Sequence, residues 1–234
     1  MKTYKIADFT VNMLCSGKLL KKAEKYLTSP SDSPDFTLSF PQERIDKFLV
    51  SHPDGNWESL VYVTLGKDFA SQLLLRNSLV LHASAVEYNG NAYLFSADSG
   101  TGKSTHTSLW LKAFEGAVIL NDDKPALRLI DDNFYAYGTP WSGKTDLNVD
   151  HKVPLKAICF IERAKENSIE RITSPIEILQ LILSQTLRRA GSDKTGALLT
   201  LLDKLIATVP FYRLRCLPNE DAARLAYNVM SESE

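Results

Sequence analysis

Apolar and polar positions along this chain fall into short runs with strand-like and helix-like spacing, separated by clusters of Gly, Pro, Asn, Asp and Ser. Residues 91–96, centred on Tyr93, Leu94 and Phe95, suit a buried strand, and the Asn89-Gly90 pair before them is a hairpin-turn signal. Residues 104–115 set Leu109, Trp110 and Leu111 among Thr, His and Lys, with Gly116 as a stop, which predicts a short helix. The apolar run 117–120 then leads into Asn121-Asp122-Asp123, as expected of a buried strand that delivers carboxylates to its end. Further on, 156–162 reads as another buried strand. Ser174-Pro175-Ile176-Glu177 combines a capping box with proline at the first helical position. The helix it starts is expected to reach Arg189, with Ile176, Leu179 and Leu183 on its apolar face and Arg188 and Arg189 as dipole partners at its end. A leucine-rich helix over 196–207, a strand over 209–216 with Arg213 and Arg215 on one face, and a helix capped by Pro218-Asn219-Glu220 complete the pattern.

Before residue 80 the pattern is mixed. Residues 4–14 and 36–40 look like strands, 19–26 like a short helix, and 29–35 and 51–57 like loops. Residues 60–65 alternate apolar and polar side chains, and 69–75 are apolar enough for a helix against a sheet. These lead into a strand at Leu81-His82-Ala83-Ser84-Ala85. The division expected is a mixed α/β extension over 1–78 packed on a catalytic domain over 79–234, or one continuous domain.

The segment that carries chemistry is Ala97-Asp98-Ser99-Gly100-Thr101-Gly102-Lys103-Ser104-Thr105. It follows a strand and opens a helix, the context a phosphate-binding loop requires. In such loops backbone N–H groups and the helix start wrap phosphates, the lysine reaches the β/γ oxygens, and the hydroxyl after it binds Mg²⁺. Gly102, Lys103 and Ser104 fit the G-x-x-x-x-G-K-[ST] pattern, and Ala97 replaces its opening glycine. Asp122 and Asp123 supply carboxylates for the metal and for accepting a hydroxyl proton. Adjacent strand residues point to opposite faces, so at least one aspartate is expected beyond the strand end if both serve one site. Their individual roles stay open.

The order of these parts over 82–123 resembles the catalytic core shared by HPr kinase/phosphorylase and phosphoenolpyruvate carboxykinase: a histidine strand, a hairpin, a Ser-Gly-x-Gly-Lys-[ST] loop and a strand ending Asp-Asp. The resemblance implies an α/β carboxykinase-like mixed sheet with a Walker A-type loop and flanking helices. It implies ATP and Mg²⁺ as cofactors, Asp98 to Thr105 as the nucleotide-binding loop, and Ser104, Asp122 and Asp123 at the metal. The catalytic set it implies is Asp122, Asp123, His82 and Lys103. His82 corresponds to a metal ligand in the carboxykinases and to a member of the catalytic neighbourhood in HPr kinase. Tyr137-Gly-Thr-Pro-Trp-Ser-Gly-Lys144 resembles a segment of small kinase-like relatives of HPr kinase, some of them linked to peptide natural products. It stands in place of the Glu- and Arg-containing glycine-rich signature of HPr kinase. There Lys144 offers a cation to transferring phosphate, or the segment is a surface turn with Trp141 as a packing anchor.

The resulting expectation is a kinase that moves the γ-phosphoryl group of ATP to a hydroxyl, foremost serine of a protein or peptide. A small-molecule hydroxyl kinase and a noncatalytic nucleotide- or peptide-binding regulator are the alternatives. HPr kinases assemble as oligomers, which extends the expectation to a homo-oligomer. The length of 234 residues sets the chain apart from the far longer carboxykinases. A formal net charge of -1 provides no global basic field and argues against nucleic acid as the main partner. Cys15, Cys159 and Cys216 are widely spaced and read as reduced thiols. With no signal-like start and no membrane-spanning run, the expected location is cytoplasmic, without a membrane partner.

Overall fold

The computed structural model of the protein describes residues 1–186 and 192–232. The chain opens with a hairpin of β1 (Lys2–Ile6) and β2 (Phe9–Leu14), followed by α1 (Gly17–Lys22), a 3-10 turn at Glu24–Tyr26, and β3 (Phe36–Ser39), which runs parallel to β2. Residues 4–14 are therefore two strands. Ala7 and Asp8, at φ 51° and 62°, make the reversal in a left-handed conformation that the sequence does not advertise with glycine or asparagine. Two helices follow, α2 (Gln42–Ser51) and α3 (Trp57–Leu74). No helix is expected at α2 from the sequence pattern. The alternation at 60–65 belongs to α3, whose buried side chains Val61, Tyr62, Leu65, Phe69, Leu73 and Leu74 recur at helical spacing. Asn56 caps α3 by accepting the Ser59 N–H at 2.9 Å.

The second sheet has nine strands. β4 (Ser78–Val80), β5 (Ala83–Tyr88) and β6 (Asn91–Ser96) precede α4 (Lys103–Ala113). Then come β7 (Val118–Asp123), β8 (Ala126–Ile130), β9 (Asn133–Tyr137), β10 (Lys152–Arg163) and β11 (Ser168–Ile172). α5 (Pro175–Ser184), α6 (Ser192–Thr208), β12 (Phe211–Cys216) and α7 (Glu220–Ser231) complete the chain. The path β4-β8-β9-β10-β6-β5-β7 curls, because the long β10 pairs β9 at its start and β6 and β12 further on, while β11 pairs β12. α5 ends at Ser184 and not at Arg189; Arg188 and Arg189 lie outside the described residues. Ser174 caps it from the expected position, as Asn219 caps α7. Arg213 and Arg215 lie in a surface ion-pair network with Glu162, Glu170 and Glu177. No helix among the described residues is long and apolar enough to cross a membrane.

Both faces of the central strands are buried, which explains their near-continuous apolar sequences. On β6, Ala92 and Leu94 face a core completed by Ile178 and Ile182 of α5 and by Leu198, Leu201, Leu202 and Leu205 of α6. Tyr93 and Phe95 face the other side with Trp110 of α4 and Ala222, Ala226 and Met230 of α7. A third core joins β1 to β3, α1 and α3 to Ala126, Tyr137 and Trp141, so residues before 78 share a hydrophobic cluster with the larger sheet.

His106 on the buried face of α4 lies 4.5 Å from the Phe95 ring and accepts the Trp110 indole N–H at 3.1 Å. Burial pushes its pKa down to about 4. The unfolded chain binds this proton near the ordinary value of about 6.5, so the unfolded state gains protons first as pH falls and stability declines between those two values. We expect roughly 2 kcal/mol less unfolding free energy at pH 5 than at pH 7 from this residue. Urea denaturation at both pH values should show a smaller difference in His106→Leu; an unchanged difference would exclude the residue as its source.

Candidate active site

The site forms where three strands meet at one end of the sheet. β5 lies between β6 and β7 and is antiparallel to both, so it begins where its neighbours finish. Ala83 pairs with Ser96 on one side and with Asp123 on the other. His82 immediately precedes β5, the glycine-containing loop 97–102 follows β6, and the aspartates end β7. His82 itself is not in a strand; it occupies the break where the chain crosses from β4, paired with β8, to β5.

After β6 the loop turns over Ala97 to Gly102 into α4. Gly100 and Gly102 have φ of 82° and 129°, conformations that exclude most side chains, whereas Ala97 does not have positive φ. An L-residue is thus accommodated at the first position of the pattern. Lys103 is buried, and its ammonium donates to the carbonyls of Ala97 at 2.8 Å and Asp98 at 3.3 Å. Its pKa is lowered chiefly by burial, against the opposing attraction of Asp123. Ser104 and Thr105 are exposed on the first turn of α4. Arg163, at the end of β10, donates to the carbonyls of Gly100 and Thr101 and ties the loop to its neighbouring strand.

Asp122 and Asp123 both lie within β7, yet both line the same cavity of about 550 Å³. The expected alternation fails at Asp123, whose φ of 153° departs from strand geometry. Asp122 is buried and accepts the Thr145 hydroxyl at 2.7 Å. Asp123 is 3.4 Å from His82 Nε2 and 3.6 Å from Lys124 Nζ. The same cavity is lined by Ser99, Gly100, Gly102, Lys103, Ser104, Thr105, Gly143 and Lys144. Asp98 and Thr101 lie outside its lining and border a separate depression beside Arg163 and Gln185.

Gln185 fixes the state of His82. Its amide N–H₂ donates to Asp98 at 3.2 Å and to the Ser184 hydroxyl at 2.9 Å, so its oxygen is the partner of His82 Nδ1 at 3.1 Å. That network assigns the proton to Nδ1 and leaves a lone pair on Nε2 when the ring is neutral. The His82 pKa is lowered, first by burial and then by Lys103 and Lys124, against Asp123 and Gln185. Nε2 and the Asp123 carboxylate are then two acceptors that can share a proton or a cation. Among the described residues no group of three or more His, Cys, Asp or Glu side chains forms a metal cage. The oxygens of Ser104, Asp122 and Asp123 suit Mg²⁺, which keeps few protein ligands and completes its shell with phosphate and water.

The 138–145 segment is held over the aspartates from the N-terminal part of the chain. A side chain at Gly138 would strike the Val149 carbonyl, and one at Gly143 would come within 2.9 Å of the Asp122 carbonyl. Trp141 is buried, stacks on Phe69 at 4.7 Å and donates its indole N–H to the Tyr62 carbonyl at 3.0 Å. Lys22 of α1 donates to the Ser142 hydroxyl, the Gly143 carbonyl and the Asp146 carboxylate, and Tyr62 accepts the Gly143 N–H at 3.1 Å. Trp141 is the packing anchor, while Gly143, Lys144 and Thr145 border the cavity. Lys144 is exposed and makes no hydrogen bond or ion pair among the described residues.

Gln185, Lys22, Tyr62 and Arg163 carry no motif, and nothing in their local sequence marks them; each reaches the site through a contact distant in sequence. No protein-family model and no curated protein matches the chain. Among solved structures, the Hpr(Ser) kinase/phosphatase from Coxiella burnetii is similar at a TM-score of 0.40 and 9% identity, covering 65% of this chain and 97% of that one. This is a distant structural relationship.

Replacing Trp141 by Ala should cost about 3–5 kcal/mol of unfolding free energy, as for other buried aromatic truncations. Urea denaturation measures it, and a loss below about 1 kcal/mol would contradict the anchoring of the 138–145 segment through this ring.

Proposed function

We propose that the protein is an ATP- and Mg²⁺-dependent kinase that transfers the γ-phosphoryl group to a hydroxyl, foremost a serine of a protein or peptide. The observation that carries this reading is the convergence of Lys103, the start of α4, Asp122, Asp123 and His82 on one cavity. Phosphoryl transfer asks a protein for positioning and charge stabilisation more than for covalent chemistry, and these groups supply both.

The amides that open α4 and the Lys103 ammonium would hold the β- and γ-phosphates. Lys103 is within reach of two loop carbonyls, which a triphosphate would replace as partners. Ser104 and Asp122 would hold Mg²⁺, which when bound neutralises charge on the phosphate oxygens. Asp123 would accept the proton of the attacking hydroxyl, with Lys124 setting its orientation and the Nε2 lone pair of His82 a second acceptor beside it. The bond from the γ-phosphorus to the β,γ-bridging oxygen breaks as the bond from the acceptor oxygen to phosphorus forms. ADP, the phosphate ester and one proton are the products. Lys144, on the rim, offers a further cation to the transferring group.

With γ-labelled ATP, Mg²⁺ and serine-containing peptides, wild-type protein should transfer label. Lys103→Ala and Asp123→Asn should each lower the rate by about 10²–10⁴-fold. Transfer at the wild-type rate by Lys103→Ala would contradict the reading. ATP binding without transfer by any variant would support a noncatalytic nucleotide-binding module instead.

A further inference from the structure

A second cavity, of about 350 Å³, meets the first at His82, whose side chain borders both. It lies against α3; Tyr62, Val63, Gly66, Ala70, Val80 and Trp141 form an apolar wall whose Tyr62 hydroxyl and Trp141 indole N–H are already engaged, and Ser184, Gln185 and Thr186 form a polar side. Its charged lining groups are Lys67 and Lys124, and no carboxylate lines it. Lys67 is exposed and has no hydrogen-bond or ion-pair partner among the described residues, while Lys124 leans on Asp123. Val63 is 48% exposed at this face and adds accessible apolar surface to the cavity wall. Volume, apolar walls and a few convergent polar groups are the features of a ligand site.

The place of this cavity relative to the phosphate-binding loop gives it a role. His82 borders both cavities and its Nε2 lies 3.4 Å from the Asp123 carboxylate, so a hydroxyl presented past His82 comes beside that carboxylate. We propose that this second cavity binds the phosphoryl acceptor and selects one whose hydroxyl sits beside a bulky apolar group and an anionic group. The apolar group fills the wall formed by α3 and Trp141, and the anion faces Lys67 and Lys124. A small or cationic neighbour leaves the wall wet and sets like charges together, so it is selected against. This inference rests on the phosphoryl-transfer reading of the first cavity and adds the acceptor's chemical class to it.

The test uses the full-length protein with Mg²⁺-ATP and synthetic serine peptides that carry phenylalanine or glycine beside the serine, and glutamate or lysine next to that. N-octanoyl-serine is included as a small-molecule arm. Affinity for a fluorescent ATP analogue is measured on the same samples. The phenylalanine-glutamate peptide should exceed the glycine-lysine peptide at least tenfold in kcat/KM. Val63→Asp and Lys67→Glu, both surface changes, should raise KM for the preferred acceptor at least fivefold with nucleotide affinity unchanged. Preference for N-octanoyl-serine over all peptides supports the same pocket chemistry with a small molecule as its source. Equal kcat/KM across the set or transfer unaffected by either variant would overturn the acceptor assignment alone, whereas nucleotide binding with no acceptor of the set phosphorylated would overturn the kinase reading as well. Absence of nucleotide binding would overturn the kinase reading, and this inference with it.

Discussion

The register of β5 is the constraint on which the site depends. Ala83 is paired to Ser96 and to Asp123 at once, so the last residue of β6, the last residue of β7 and the residue before β5 are fixed side by side. A slip of one residue in either pairing would turn each side chain to the opposite face and separate Lys103 from the aspartates. Burial enforces the register: Leu94 faces the α5 and α6 core, Phe95 faces Trp110, and neither can exchange places without exposing an apolar face or overfilling the other. The Ser96 hydroxyl donates to the His82 carbonyl at 2.8 Å, and the His82 N–H donates to the Gln185 carbonyl at 2.9 Å, so the break before β5 is tied on both sides.

On this frame the polar groups are placed against their own preferences. Lys103 is buried, two carboxylates share a cavity, and Asp123 takes a backbone conformation that few side-chain-bearing residues adopt. Each of these would be unfavourable alone. Together they offset one another, since Asp123 is the leading attraction felt by Lys103, and Thr145 and Lys124 provide partners for the two carboxylates. The N-terminal part of the chain takes part in this balance. Through Lys22 of α1, Tyr62 of α3 and the Trp141–Phe69 stack it presses the 138–145 segment onto β7, and α3 also walls the second cavity.

What the sequence discloses is what local chemistry controls. Asn89-Gly90, the apolar run of β6 and Gly102-Lys103-Ser104 mark a strand, loop and helix because turn, burial and cap act within a few residues of each other. Ser174 and Asn219 disclose their helices for the same reason. The hairpin at Ala7-Asp8 is hidden because its left-handed residues are not the usual ones, and α2 because Ile45 is the one fully buried side chain on it. That both aspartates serve one site is expected from the sequence, but how they reach it from within β7 is hidden, since period-two alternation predicts opposite faces and the backbone at Asp123 overrides it. Gln185, Lys22, Tyr62 and Arg163 reach the site from positions made adjacent by tertiary packing, and a side chain's local sequence holds no record of that.

The central proposal is that the cavity between the Gly100–Ser104 loop and the β7 aspartates is a nucleoside triphosphate site. Its most direct test is a crystal structure of the protein with Mg²⁺ and a nonhydrolysable ATP analogue. The expected result places the triphosphate on the amides opening α4, with the Lys103 ammonium on the β- and γ-phosphates and the metal between Ser104 and Asp122. A nucleotide bound elsewhere, with Lys103 still donating to Ala97 and Asp98, would contradict it.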